Sequence, residues 1–107
     1  MINLILDNVI FSLQKSGGIS VVWFELLKRL QFDNLNFECI EYEFISNINR
    51  KQLSIVSKNI RIRKKRFLSI TRYLSPKIHC KDPFIFHSSY YRTCSNSNAI
   101  NFSVLTY

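Results

Sequence analysis

Short apolar runs alternate with helix-like segments along this chain, and few folds accommodate that order. The first run, INLIL at residues 2–6, has the near-continuous hydrophobicity of a strand buried on both faces of a parallel sheet. The segment ISVVWFELLKRL at residues 19–30 then places apolar side chains at helical spacing. Further strands are predicted over residues 36–44, 59–63, 84–86 and 99–107, and helices over 46–58 and 64–76. This order predicts an α/β domain with a largely parallel sheet and right-handed crossovers.

The length and composition fit one small globular domain. The chain has 107 residues, 47% of them hydrophobic, and no stretch approaches the roughly 18 to 20 apolar residues that span a membrane. The N-terminal sequence MINLILDNVIF has no basic flank and carries Asp7 inside its apolar region, so it is a poor secretion signal. Cys39, Cys80 and Cys94 are odd in number and widely spaced, which favours reduced thiols in the cytoplasm.

The only two glycines of the chain, Gly17 and Gly18, stand side by side just before the first predicted helix. Free N–H groups at a helix N-terminus attract anions, and a residue without a Cβ lets a ligand approach the backbone. The segment matches neither the GxGxxG dinucleotide fingerprint nor a Walker motif. The pair therefore indicates either a turn that faces a phosphate or a sugar, or a tight turn that binds nothing.

Two segments together resemble a known enzyme family. Residues 5–30, ILDNVIFSLQKSGGISVVWFELLKRL, and residues 86–92, FHSSYYR, are similar to the N-terminal domain of the retaining glycosyltransferases of the GT-B type, family 4. Those enzymes open with an apolar strand, a loop carrying GGIS or a close variant, and a helix with a YELLKRL-like pattern. The HSSYYR segment resembles their later strand-to-loop junction. The resemblance implies an α/β, Rossmann-like domain with a mostly parallel sheet flanked by helices.

The resemblance also implies how the work is divided within a two-domain enzyme. The N-terminal domain holds the acceptor, and the C-terminal domain binds the nucleotide-sugar donor, which is a substrate, so no metal and no other cofactor is expected. The loop that faces the donor diphosphate and sugar corresponds to Gly17, Gly18, Ile19 and Ser20. The rim of the interdomain cleft corresponds to His87, Ser88, Tyr91 and Arg92. From the residues alone, a hydrogen-bonded structural histidine at 87 and a solvated arginine at 92 remain alternatives.

The resemblance covers most of the chain and implies that residues 1–107 form a single Rossmann-like N-terminal domain. Such an enzyme continues beyond the matching segment. We therefore expect a truncated N-terminal half that is inactive by itself, because the groups that stabilise the leaving diphosphate belong largely to the donor-binding domain. Its partners would be that C-terminal domain and a glycan or lipid-linked acceptor. A domain separated from its partner domain also predicts exposed apolar surface and self-association.

One segment supplies the positive charge. The formal net charge is +8, and residues 50–81 hold most of the Lys and Arg residues but none of the acids. The basic surface predicted there comprises Arg61, Arg63, Lys64, Lys65 and Arg66. It is a solvated face, a contact for anionic lipid at the inner face of the cell membrane, or a nucleic-acid patch that lacks any known motif. The alternative function is thus a non-catalytic α/β binding module that uses this surface on an anionic membrane or on nucleic acid.

Overall fold

A computed structural model describes residues 3–33, 35–43, 45–55, 59–63, 74–78, 80–90 and 92–103. Within these ranges the elements are β1 (Asn3–Asp7), α1 (Ile10–Leu13), α2 (Gly18–Phe32), β2 (Glu38–Tyr42), α3 (Ile48–Lys51), β3 (Ile60–Arg63), β4 (Phe84–Ser88) and β5 (Ala99–Ser103). The strands and α2 occur where the hydrophobic pattern predicts them.

The strands form one sheet in the order β3-β2-β1-β4-β5, and every neighbouring pair is parallel. The prediction of an α/β, Rossmann-like domain is confirmed, and the described sheet is parallel throughout. The chain proceeds from β1 outward to β2 and β3, and then returns to place β4 on the other side of β1. The boundary between β1 and β4 is therefore a topological switch point, and open sheets of this kind bind ligands beyond the carboxyl ends of the strands there.

Two apolar clusters cover the two faces of the sheet. Neighbouring residues of β1 belong to different clusters, Leu6 to the one under α2 and Ile5 to the opposite one, because successive side chains of a strand point to opposite faces. The buried stripe of α2 consists of Ser20, Trp23 and Leu27, which lie three and four residues apart. This stripe packs α2 over β1 and brings its N-terminus to the carboxyl end of the sheet.

Two segments differ from the predicted elements. Residues 9–18 are expected to form a loop, but α1 makes one helical turn there because Ile10 and Phe11 are buried and their backbone groups need partners. Of the helix predicted over 46–58, residues 46–55 are described, and within them only α3 is helical, since the exposed Ile48 gives no continuous apolar face. The helix predicted over 64–76 lies outside the described residues except for its last three positions, and the final strand is described only to residue 103.

None of the helices in the described ranges is long and apolar enough to cross a membrane. The three cysteines are free thiols, with Cys39 and Cys94 buried and Cys80 half-buried. Burial, assisted by the negative charge of Glu41, raises the pKa of the Cys39 thiol to about 12. Cys39 is therefore a packing residue at neutral pH.

Candidate functional site

Buried polar side chains gather at the carboxyl ends of the central strands. We call this group the carboxyl-edge cluster; its members are Asp7, Asn8, Glu41, Ser88, Ser89 and Arg92. A buried polar group without a hydrogen-bond partner is costly, and a buried charge more so. The arrangement therefore needs internal pairing, which the structure provides through two ion pairs.

The first ion pair joins Asp7 at the end of β1 to Arg92 beyond β4. The Nε and Nη2 atoms of Arg92 each lie 2.5 Å from a different carboxylate oxygen of Asp7, so the contact is bidentate. Ser88 donates its hydroxyl to the same carboxylate at 3.0 Å, and the Nη1 of Arg92 donates to the hydroxyl of Tyr42 at 3.0 Å. Burial alone would lower the pKa of Arg92. The hydrogen bonds to Asp7 and the negative charge of its carboxylate outweigh burial, so the pKa of Arg92 is raised.

The second ion pair joins Glu41 of β2 to Arg50 of α3. Arg50 Nη2 donates to Glu41 Oε1 at 2.8 Å, and Arg50 Nε contacts Glu41 Oε2. The hydrogen bonds that Arg50 donates to Glu41 raise the pKa of the guanidinium. Asn8 extends this pair: its Nδ2 donates to Glu41 Oε2 at 3.0 Å, and its Oδ1 accepts from the indole N–H of Trp23 at 2.7 Å. The chain of contacts thus runs from α3 through β2 to α2.

The two ion pairs lie on opposite faces of the sheet. Asp7 has the same parity in β1 as Ile5, which belongs to the cluster opposite α2, whereas Glu41 has the same parity in β2 as Cys39, which lies under α2. A groove runs past the carboxyl ends of β2 and β3, and both partners of the Glu41 pair form part of its wall. On both faces of the sheet, the carboxyl ends of the strands therefore carry charges that the chain itself neutralises.

The segment that follows β4 is tied to the end of β1. Ser89 donates to the carbonyl oxygen of Asp7 from its backbone N–H at 3.1 Å and from its hydroxyl at 2.6 Å. The same hydroxyl accepts from the N–H of Ile10 at 3.0 Å, and the N–H of Tyr90 donates to the hydroxyl of Ser88 at 3.1 Å. Among the predicted rim residues, Ser88 is buried in these contacts, and Tyr91 lies outside the described residues.

Arg92 also takes a different position from the one expected of a cleft rim. Its exposed fraction is 2%, and its guanidinium faces Asp7 and Tyr42 inside the domain. The solvated arginine considered as the alternative does not describe it either. The physical reason is the nearby carboxylate, because a buried Asp7 without a cation would be strongly destabilising.

His87 lies in a stack of three rings. Its ring centroid is 5.0 Å from that of Trp23 and 6.2 Å from that of Phe102, with both pairs close to parallel. Its Nδ1 is buried and has no hydrogen-bond partner among the described residues. Burial lowers the pKa of the imidazole, so the neutral form is favoured. The hydrogen-bonded structural histidine considered as an alternative is thus not what the described residues form.

The glycine pair lies at the beginning of α2. Gly17 has an extended backbone, and a Cβ built on Gly18 meets no atom within 4 Å. The side-chain amide of Gln14 lies against Gly17, and its Oε1 is buried without a hydrogen-bond partner in the described part of the chain. Neither glycine has a left-handed backbone conformation that would require a residue without a Cβ. Gly18 instead borders open space, as expected if something approaches the backbone there.

The residues after the glycines begin the helix. The N–H of Val21 donates to the carbonyl of Gly17 at 3.2 Å, so the N–H groups of residues 18–20 precede the first bond within α2. Ile19 is half-buried against the cluster under α2. Ser20 is buried, and its hydroxyl donates to the carbonyl of Gly17 at 2.8 Å. Of the four residues predicted to face a donor, Gly18 is the most open.

The predicted basic surface is only partly described. Arg61 pairs with Glu38 at 2.6 Å, and Arg63 donates to the carbonyl of Lys77 at 2.9 Å. The remaining members, Lys64, Lys65 and Arg66, lie outside the described residues. The two described arginines therefore have partners within the chain, although such exposed contacts are weak.

The structure adds functional candidates that the sequence interpretation did not single out, namely Asp7, Asn8, Glu41 and Arg50. The available signal was the acid and amide directly after an apolar strand, since that position becomes the carboxyl end of a parallel sheet. In the described ranges, no three His, Cys, Asp or Glu side chains converge as metal ligands do.

The fold and this cluster define the class of protein: an α/β domain of the Rossmann-like type with a buried polar network at its switch point. A scan against protein-family models found no match, and searches of curated proteins and of solved structures found none either.

Proposed function

We propose that this chain is the N-terminal, acceptor-side domain of a GT-B glycosyltransferase of family 4. Such an enzyme transfers a sugar from a nucleotide-sugar donor to a glycan or lipid-linked acceptor. The donor-binding domain would come from a further part of the enzyme, and residues 1–107 alone would be inactive. A cytoplasmic location, with peripheral contact at the inner face of the cell membrane, belongs to the same proposal.

The observation that supports this proposal best is the meeting of the two family-like segments at the switch point. The glycine pair opens α2, and Trp23 of that helix stacks on His87 of β4. The segment after β4 is bonded to the end of β1 through Ser89. A ligand beyond the carboxyl ends of β1 and β4 would therefore touch both segments, as a sugar nucleotide lying in an interdomain cleft does.

The buried ion pairs refine what this half would contribute. The arginine of each ion pair is neutralised by a carboxylate, Arg92 by Asp7 and Arg50 by Glu41. The contribution to a diphosphate would then come from backbone N–H groups at the start of α2, which is the usual role of a helix N-terminus. The remaining positive charge needed for transfer would come from the donor-binding domain.

The proposal is tested by NMR titration of the isotope-labelled chain with UDP-glucose and, separately, with inorganic pyrophosphate. We expect amide shifts confined to residues 17–20 and 87–90, and the variant Gly18→Ala should weaken them, because a Cβ there occupies the open approach to the backbone. Asn36→Ala, at an exposed position outside both segments, is the matched control.

The same titration separates the alternative function. If phosphatidylglycerol vesicles or a DNA duplex shift residues 59–63, while neither UDP-glucose nor pyrophosphate shifts residues 17–20, the chain is a binding module for polyanions and the transferase proposal fails. Salt dependence then confirms the electrostatic nature of that binding, since phosphate contacts weaken as counterions compete.

A further inference from the structure

The short helix α3 is held in place by polar contacts. It spans four residues, none of which is buried, so apolar packing contributes little to it. Polar side chains of α3 and of its N-cap residue instead reach the segment before α2, the first turn of α2, and the carboxylate of Glu41. Such an element links the parts that it touches.

The residue that caps α3 makes the central contact. Asn47 is fully buried, and its Oδ1 accepts from the N–H groups of Asn49 at 2.8 Å and Arg50 at 3.0 Å. This is the usual contact of an N-cap residue. Its Nδ2 donates at 2.8 Å to the carbonyl of Gln14, which lies in the segment of residues 14–17 that we call the glycine loop. One side-chain amide therefore joins α3 to that loop.

Two further hydrogen bonds run in the same direction. The N–H of Ile48 donates to the carbonyl of Lys15 at 3.0 Å. The Nδ2 of Asn49 donates at 3.0 Å to the hydroxyl of Ser20, which itself donates to the carbonyl of Gly17 at 2.8 Å. Three carbonyl groups of the glycine loop are thus bonded to α3 or to the first turn of α2. This pairing determines how the loop backbone is oriented ahead of Gly18.

We propose that Asn47 is a positioning residue, whose amide N–H₂ group makes α3 hold the glycine loop in its observed conformation. The value of that conformation for ligand binding rests on the proposed function, but the positioning itself does not. Because the same amide caps α3 and binds the loop, the two halves of its role need to be separated by a substitution that changes only one of them.

Asn47→Asp achieves that separation. The carboxylate keeps an oxygen that accepts from the N–H groups at the start of α3, and it replaces the donor to Gln14 by an oxygen that repels the carbonyl. Amide hydrogen exchange measured by NMR should show about fivefold faster exchange at Ile48 N–H, since losing one hydrogen bond of typical strength corresponds to about that factor. The amides of Asn49 and Arg50 should keep their protection.

The comparison has a matched control and a clear opposite outcome. Asn36→Asp makes the same chemical change at an exposed position and should leave Ile48 unaffected. Unchanged protection of Ile48 N–H in Asn47→Asp would mean that Asn47 only caps α3, and the proposal would be overturned. If this variant does not fold, Asn47→Ser, which keeps a capping oxygen but no amide, decides by the same measurement.

No ligand enters this experiment, so its outcome is independent of the proposed function. Pyrophosphate titration of the unmodified chain tests whether the loop binds an anion. Exchange in Asn47→Asp tests whether α3 positions the loop. If pyrophosphate does not bind, the positioning of the glycine loop by Asn47 still holds as a property of the fold. If exchange does not change in Asn47→Asp, the positioning role is refuted and the transferase proposal is unaffected.

Discussion

Asp7 and Arg92 are 85 residues apart in the chain, yet two hydrogen bonds of 2.5 Å join the carboxylate of one to the guanidinium of the other. Parallel pairing of β1 with β4 places Asp7 beside Ser88, and the chain then turns back to bring Arg92 over the strand end. The contact closes one face of the switch point. It also makes the segment that resembles a glycosyltransferase junction part of the core.

Removing Arg92 should destabilise the domain strongly. Arg92→Ala leaves the buried Asp7 carboxylate without its cation, and breaking a buried pair in this way costs about 3–5 kcal/mol. Urea unfolding followed by the fluorescence of Trp23, the single tryptophan, measures the loss. Arg61→Ala, which breaks the exposed pair with Glu38, should cost no more than about 1 kcal/mol. Equal losses in the two variants would contradict the burial of the Asp7 pair.

Gly18 should accept a side chain without loss of stability. A Cβ at this position meets no atom within 4 Å, and alanine is favoured over glycine inside a helix by up to about 1 kcal/mol. Thermal unfolding of Gly18→Ala is therefore expected to match or exceed that of the unmodified chain. A lower melting temperature would show that glycine at this position stabilises the fold. Weaker binding by Gly18→Ala could then result from reduced stability rather than from a blocked approach to the backbone.

Stability should decrease as the pH falls below about 6.5, and His87 should be responsible. Its pKa in the folded state lies below the unfolded value of about 6.5, because burial disfavours the charged imidazole. The unfolded state therefore binds the proton first, so stability is complete above pH 6.5 and is lost as the pH drops toward the folded pKa. Urea unfolding at several pH values gives the slope.

The matched variants for that measurement are His87→Phe and His79→Gln, which remove the two histidines of the chain one at a time. Phenylalanine keeps a ring between Trp23 and Phe102 but cannot titrate, so the pH slope in this window should disappear. If the slope persisted in His87→Phe and disappeared in His79→Gln, His79 and not His87 would cause the pH dependence, and the prediction would be wrong.

The three thiols should differ in reactivity. At pH 8, Cys39 should resist alkylation in the folded protein because it is buried and its pKa is raised to about 12, which leaves almost no thiolate. Cys80 is half-buried and should be labelled first. Mass spectrometry of iodoacetamide-treated protein, with urea-unfolded protein as the reference, measures the order. Early labelling of Cys39 would mean that β2 opens readily.

The apolar face of β5 should promote self-association. Ile100 and Phe102 lie on the α2 face of the sheet and expose 45% and 51% of their surface. Light scattering should show oligomers that Phe102→Glu reduces, whereas Phe32→Glu, at the exposed end of α2, should not change them. A concentration-independent monomer in all three proteins would contradict the predicted self-association.

Much of the fold could be predicted because it depends on local pattern. The apolar run that became β1 and the helical spacing of apolar residues over 19–30 each carry their structure in a short window. The predicted apolar face of this helix included Val22, which is exposed, whereas Trp23 is buried instead. In the described part of the helix predicted over 46–58, residues 46–55, only α3 forms, because capping by Asn47 starts a helix but only a continuous apolar face extends it.

The sequence by itself determined the class of the fold and the location of its glycine pair, since periodicity and the lack of a Cβ are properties of neighbouring residues. Only the tertiary structure decided which polar groups meet. From the sequence, Arg92 was predicted to lie at a cleft rim, but the pairing of β1 with β4 buries it against Asp7. Glu41 was interpreted only as an acid in a strand, but it pairs with Arg50 and Asn8. The physical reason is that the charge of a side chain is local, whereas its partner and its burial depend on segments that only folding brings together.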